Sequence, residues 1–123
     1  MALEGFDPEV EWIVLDLLPE RGPFRGREGV RRFWELWSET FSLFRIEIKD
    51  VTGAGQNVIV TMRVSGTGRD SGAQVITPWF PQAWSARDGK FVRVEMFTSR
   101  EEALESVGLP AGTPATPVEP PPA

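Results

Sequence analysis

The tightest constraint in this chain is a stripe of large apolar side chains at Val30, Phe33, Trp34, Trp37, Phe41 and Phe44, spaced 3, 1, 3, 4 and 3 residues apart. That recurrence keeps every member on one face of a 3.6-residue helix. It predicts a helix from about Arg27 to Ser42 with an aromatic face. Arg31, Arg32, Glu35 and Glu39 fill the other side, with Glu35 one turn beyond Arg31. A lone helix cannot bury such a stripe, so the rest of the chain must offer it an apolar sheet face.

The flanking sequence reads as that sheet. Val10 to Asp16 alternates imperfectly, with Val10, Trp12 and Val14 on one side. An irregular connection rich in proline and glycine (LLPERGPFRGREG) then leads into the helix. Beyond it, Arg45 to Val51 places Ile46 and Ile48 inward, and a turn is expected over Gly53 to Asn57. Asn57 to Ser65 aligns Val58, Val60, Met62 and Val64, and a second turn spans Gly66 to Gly72. Ala73 to Ala86 reads as one long strand bent at Pro78 and Pro81, which cannot donate to a ladder. Arg87-Asp88-Gly89-Lys90 is a tight hairpin turn, and Phe91 to Thr98 is the last strand. A short helix over Ser99 to Val107 has Ser99 as N-cap, Glu102 at the capping-box position and Gly108 just past its end. Short successive connections predict an antiparallel sheet, and one helix on one apolar face gives a two-layer α+β domain. The domain is expected at residues 1–108. Leu109 to Ala123 (LPAGTPATPVEPPPA) lacks any apolar period and is expected to be a flexible proline-rich tail.

Composition removes whole classes of chemistry. The chain has no cysteine, histidine or tyrosine. Disulfides, thiolate metal sites and cysteine nucleophiles are therefore excluded. So is any hydrolytic triad with an imidazole base, and neither a metal nor a cofactor is expected. Thirteen basic residues against eighteen acidic ones leave a net charge of −5 with no basic run to offset it, so nucleic acid and anionic membrane are not expected partners. The longest apolar run, Trp12 to Leu15, is far below the roughly 20 residues a membrane-spanning helix requires. Met1-Ala2-Leu3-Glu4-Gly5 has no signal-peptide pattern, so a cytoplasmic location is the default expectation. No glycine-rich phosphate-binding motif occurs.

Four segments in order carry a family resemblance: Asp7-Pro8-Glu9-Val10-Glu11-Trp12, Phe24-Arg25-Gly26-Arg27-Glu28-Gly29-Val30-Arg31-Arg32-Phe33-Trp34, Ala83-Trp84-Ser85-Ala86-Arg87-Asp88-Gly89-Lys90, and Ser99-Arg100-Glu101-Glu102-Ala103-Leu104. Together they resemble SnoaL-like proteins of the nuclear transport factor 2 (NTF2)-like superfamily over residues 6 to 109. The resemblance implies a cone: a curved antiparallel sheet packed on a helix, with a pocket at the wide end. Only six residues precede Asp7, so the cone is expected to lack the usual N-terminal helices. Ketosteroid isomerases of this superfamily use two pocket carboxylates and a tyrosine. The carboxylate positions fall here on Trp12 and Pro81, and isomerase chemistry of that kind is not implied.

Strand parity inside such a cone nominates Trp12, Val60, Met62, Val64, Val94 and Met96 from the sheet and Phe33, Trp37 and Phe41 from the helix as lining of an apolar ligand pocket. The same residues read more plainly as core. The opposite sheet face is expected to carry Arg63, Phe80, Gln82, Trp84, Arg93, Glu95 and Phe97, a mixture of aromatics and arginine that suits a homodimer interface. With the cone open, Trp12, Trp37 and Phe41 would form an exposed apolar patch needing cover from a subunit, the N-terminus or a ligand. Asp16 is the one weak catalytic candidate, a carboxylate near the pocket mouth that desolvation could turn into a base. The leading functional expectation is a module that binds a small apolar ligand without chemistry. The alternatives are an isomerase, cyclase or hydrolase-like enzyme using Asp16, and a protein-interaction subunit.

Overall fold

The computed structural model describes residues 3–14 and 24–118. A 3-10 turn at Leu3–Gly5 leads into β1 (Phe6–Ile13). After β2 (Phe24–Arg25) come α1 (Gly26–Thr40), β3 (Phe41–Ala54), β4 (Asn57–Gly68), β5 (Gln74–Ile76), β6 (Phe80–Arg87), β7 (Lys90–Met96), α2 (Arg100–Ser106) and β8 (Thr116–Pro117). The strands form one open, curved sheet in the order β2-β1-β7-β6-β4-β3-β8, with β5 also paired to β4. This is the expected α+β architecture with one refinement of pairing. β1 lies parallel to β7, with Trp12 opposite Val94, while the other neighbours are antiparallel. Short connections explain the antiparallel meander. The parallel pair joins the first and last long strands, far apart in sequence, where no short connection dictates direction.

The apolar stripe spans two elements. Val30, Phe33, Trp34 and Trp37 belong to α1, but Phe41 and Phe44 lie in β3, and the helix runs into the strand without a loop. Phe41 is already extended (φ −120°, ψ 133°), and its N–H closes the helix on the Trp37 carbonyl. Strand wins here because Phe41 and Phe44 gain ladder partners in Gly68 and Gly66. Gly66 also makes room: a Cβ there would lie 2.8 Å from the Leu43 carbonyl oxygen and 3.0 Å from the Phe41 ring. On the solvent side of α1, Arg31 donates to Glu28 at 2.7 Å and also to Glu35. The Arg31 hydrogen bond, then its charge, holds the Glu28 carboxyl below the usual glutamate range.

The expected long strand Ala73–Ala86 is broken into β5 and β6, which both pair with β4. In the gap, the Thr77 N–H donates to the Val64 carbonyl at 2.9 Å and the Val64 N–H donates to Thr77 Oγ1 at 2.9 Å. Pro78, with no N–H to offer, falls within the interruption. The Asp88-Gly89 turn has positive φ at both residues (53° and 78°), as a two-residue hairpin requires.

The sheet is covered on both faces, so the two-layer expectation needs correcting. α1 packs with β1 and β7 in a core of Phe6, Val10, Trp12, Phe24, Val30, Phe33 and Val94. On the other face α2 buries Ala103 and Leu104 against Ile59 and Ala83. Ser99 caps α2 as expected, its Oγ accepting from the Glu102 N–H at 3.2 Å, and Gly108 ends it with φ 78°. Arg100 Nη2 donates to the buried Thr52 Oγ1 at 2.9 Å and to the Thr113 carbonyl. The stretch expected to be a flexible tail is described as far as Val118. Leu109 packs beside α2, and Thr116 and Pro117 pair with Val51 and Asp50 of β3.

Two substitutions check this packing by chemical denaturation. Gly66→Ala should lower stability by about 1–3 kcal/mol, because the backbone carbonyl it meets cannot swing away, whereas Gly53→Ala, with open space around its Cβ, should change it by no more than about 0.5 kcal/mol. Leu104→Ala should cost about 2–5 kcal/mol, since Leu104 is fully buried; a loss below about 1 kcal/mol would mean α2 is not anchored on the outer face.

Candidate functional site: an aromatic cavity between helix and sheet

The site grows out of one row of cross-strand neighbours. Phe24, Trp12, Val94 and Trp84 are successive register partners on β2, β1, β7 and β6, so their side chains share a sheet face. Valine is the smallest of the four, and the indoles of Trp12 and Trp84 meet across it edge to face, 5.4 Å apart. From the helix side Phe33 lies 5.1 Å from Trp12, 6.1 Å from Trp34 and 6.0 Å from Trp37. Trp12 is left only 2% exposed. The expected open patch is therefore not at Trp12.

Next to this cluster the curvature leaves a cavity of about 80 Å³ that opens to solvent. Its walls are Trp12, Phe33, Trp34, Trp37, Phe44, Ile46, Met62, Val64, Phe80, Gln82, Trp84 and Met96. No ionisable side chain is among them. Gln82, 2% exposed, accepts from Trp84 Nε1 at 3.0 Å. The Nε1 atoms of Trp12, Trp34 and Trp37 are buried and have no acceptor among the described residues.

Of the nine residues nominated for the pocket, Trp12, Phe33, Trp37, Met62, Val64 and Met96 line the cavity and three do not. Val94 is fully buried beneath the two indoles. Val60 sits opposite Gln82, further along the sheet. Phe41 packs on Trp37 at 5.2 Å, at the junction of helix and strand. Asp16 lies outside the described residues.

The nominated dimer face is divided between the two sides of the sheet. Phe80, Gln82 and Trp84 point into the cavity, while Arg63, Arg93, Glu95 and Phe97 belong to the outer face. A bulge is the cause. An unbroken hairpin from Arg87 and Lys90 would set Trp84 opposite Arg93, but the ladder skips Val92, so Ser85 pairs with Arg93 and Trp84 with Val94. A one-residue slip moves every later side chain to the other face. The sequence shows the turn but gives no signal of the slip. On the outer face, Arg63 pairs with Glu47 at 2.8 Å and lies 4.4 Å from the Trp79 ring centroid, and Arg93 donates to Glu95 at 2.6 Å. Phe97 is partly covered by the α2 cluster.

Trp34, Phe44 and Ile46 were in the apolar pattern but not among the nominated lining residues. Trp34 could have been found from its place beside Phe33 on the stripe, and Ile46 from its inward parity. Phe44 could not, because its helical spacing disguised a strand residue. Among the described residues no group of His, Cys, Asp or Glu could hold a metal ion, and no helix is long and apolar enough to cross a membrane.

Solved structures with this fold are numerous. An NTF2-like protein from Burkholderia thailandensis superposes with a TM-score of 0.70 at 25% identity, covering 83% of this chain and 81% of that one. TerC, co-crystallized with polyporic acid, gives 0.66 at 24% identity over 84% and 80%. A putative SnoaL-like polyketide cyclase from Jannaschia gives 0.63 at 22% identity over 87% and 76%. No curated protein sequence matches. A family model for the SnoaL-like domain matches residues 1–94. With that match and the curved sheet closed over α1, the chain belongs to the SnoaL-like domain family.

Proposed function

We propose that this protein binds a small, flat, mostly apolar molecule in the cavity between α1 and the sheet, without transforming it. The observation that carries the reading is the wall itself: aromatic rings and methionines around an opening to solvent, with one side-chain amide and no acid or base among the described lining residues. Apolar enclosures with few polar groups are the usual form of small-molecule sites. An engineered dry cavity of about 150 Å³ takes up benzene, so the 80 Å³ here accommodates one end of a ligand, the remainder lying toward half-exposed Phe44 and Ile46. TerC has been co-crystallized with polyporic acid, an instance of this fold with a small molecule. The competing reading, an enzyme with Asp16 as base, is tested in the same assay by Asp16→Asn, which on the binding reading leaves affinity intact.

The assay is a titration with small aromatic hydrocarbons followed by tryptophan fluorescence. Saturable quenching is expected, and Met96→Trp, which fills the cavity, should abolish it while the far-ultraviolet circular dichroism stays native. Absence of saturable binding, or binding indifferent to the filled cavity, would overturn the proposal.

A second reading concerns assembly, and one observation favours it. Among the described residues, β3 has β4 on one side and only the short β8 at Asp50 and Val51 on the other. Its free edge carries exposed Leu43 (74%), Ile46 (41%) and Ile48 (44%). A long unpaired apolar edge is a template for another strand, so we place the homodimer contact along β3 and not on the outer face nominated from strand parity. Sedimentation equilibrium should give a dimer that Leu43→Lys with Ile46→Lys converts to a folded monomer; a wild-type monomer at tens of micromolar would exclude it.

A further inference from the structure

Four tryptophans line the cavity, and the structure treats their N–H groups in two ways. Trp84 donates to Gln82 Oε1 at 3.0 Å. Trp12, Trp34 and Trp37 bury theirs with no acceptor among the described residues. An indole N–H can only donate, and a buried donor left unmade is costly, so buried tryptophans usually find a partner. Here three lack one at the same place. Trp34 and Trp37 stand three residues apart on α1, Trp12 faces them from β1, and all three rings lie within 6.1 Å of Phe33, centroid to centroid. Trp12 is 2% exposed, so bulk water does not solve its problem.

We infer that the cavity recognises its ligand by donating indole hydrogen bonds from Trp12, Trp34 and Trp37 to an uncharged acceptor, so that the ligand class is a planar aromatic ketone, quinone or lactone. The inference rests on the binding reading above and deepens it. The wall supplies shape for a flat ring and donors for a carbonyl oxygen. No cation lines it among the described residues, so a carboxylate would lose its hydration without a counter-charge. A ligand hydroxyl would meet further donors, since the Gln82 acceptor is already engaged by Trp84.

The test compares acetophenone with α-methylstyrene, which keeps the planar shape and replaces the carbonyl oxygen by a methylene carbon, using protein labelled with ¹⁵N at the indole nitrogens. Each new neutral hydrogen bond is worth roughly fivefold in affinity. Acetophenone is expected to bind about five- to tenfold more tightly than α-methylstyrene, to bind more tightly than benzoate, and to move indole N–H resonances of Trp12, Trp34 or Trp37 downfield. The Trp84 resonance should stay in place. Trp34→Phe, which keeps an aromatic ring at a partly exposed position, should shrink the preference while leaving α-methylstyrene affinity unchanged. Equal affinity for the two probes with no downfield shift would overturn the donor inference and leave the apolar-ligand reading standing. Failure of both probes to bind would overturn the binding reading, and the inference with it.

Discussion

Everything in this structure depends on the contact between Phe33 and Trp12. It is where α1 meets the sheet, and the rings lie 5.1 Å apart at the meeting point of β1, β7 and the helix. β1 reaches that position only by pairing parallel with β7, which joins the N-terminal end of the chain to its last long strand. The contact therefore binds together elements distant in sequence, and aromatic pairs of this kind add directional attraction to a large buried area. Arg27 supports the same junction, its Nε donating to the Phe6 carbonyl at 2.9 Å. Gly26, with φ 72°, lets the helix begin immediately beside β1.

The sheet's two faces divide the labour. The outer face, under α2, is filled by Ile59, Ala83 and Leu104, small and branched side chains that pack closely and leave no aromatic wall. The inner face carries rings that cannot interdigitate completely across a curved surface, and the space left over is the cavity. α1 covers the β1 and β7 end of that face. Ile46 and Ile48 of β3 remain uncovered, so the cavity and the apolar edge are two results of one geometry: a single helix shorter than the sheet is wide.

Much of this was legible in the residues. The helix, the strands, the Asp88-Gly89 turn and the Ser99 cap follow from local chemistry, and the structure places them within a few residues of expectation. Trp12, Phe33, Trp37, Met62, Val64 and Met96 were legible as a group because alternation and helical period constrain each element separately. The failures were failures of relation. Phe41 and Phe44 obey a helical period yet are drawn into a strand by the partners Gly68 and Gly66. Phe80, Gln82 and Trp84 were assigned to the wrong face because the bulge at Val92 is a property of how two strands settle together, and nothing in either strand alone announces it.

The sequence by itself determined which chemistry is absent and which side chains must be buried. Lacking histidine, cysteine and tyrosine, and crowded with tryptophan and phenylalanine, the chain can build an aromatic interior and little conventional acid–base or thiol machinery. Only the tertiary structure decided which of those aromatics became core and which became wall. That decision turns on register and curvature, which depend on long-range pairing: Val94 disappears beneath two indoles, while Trp34 and Trp37 keep a face on open space. It also decided that three indole N–H groups would be buried together without an acceptor, a fact about relative position in space that no local pattern of residues encodes.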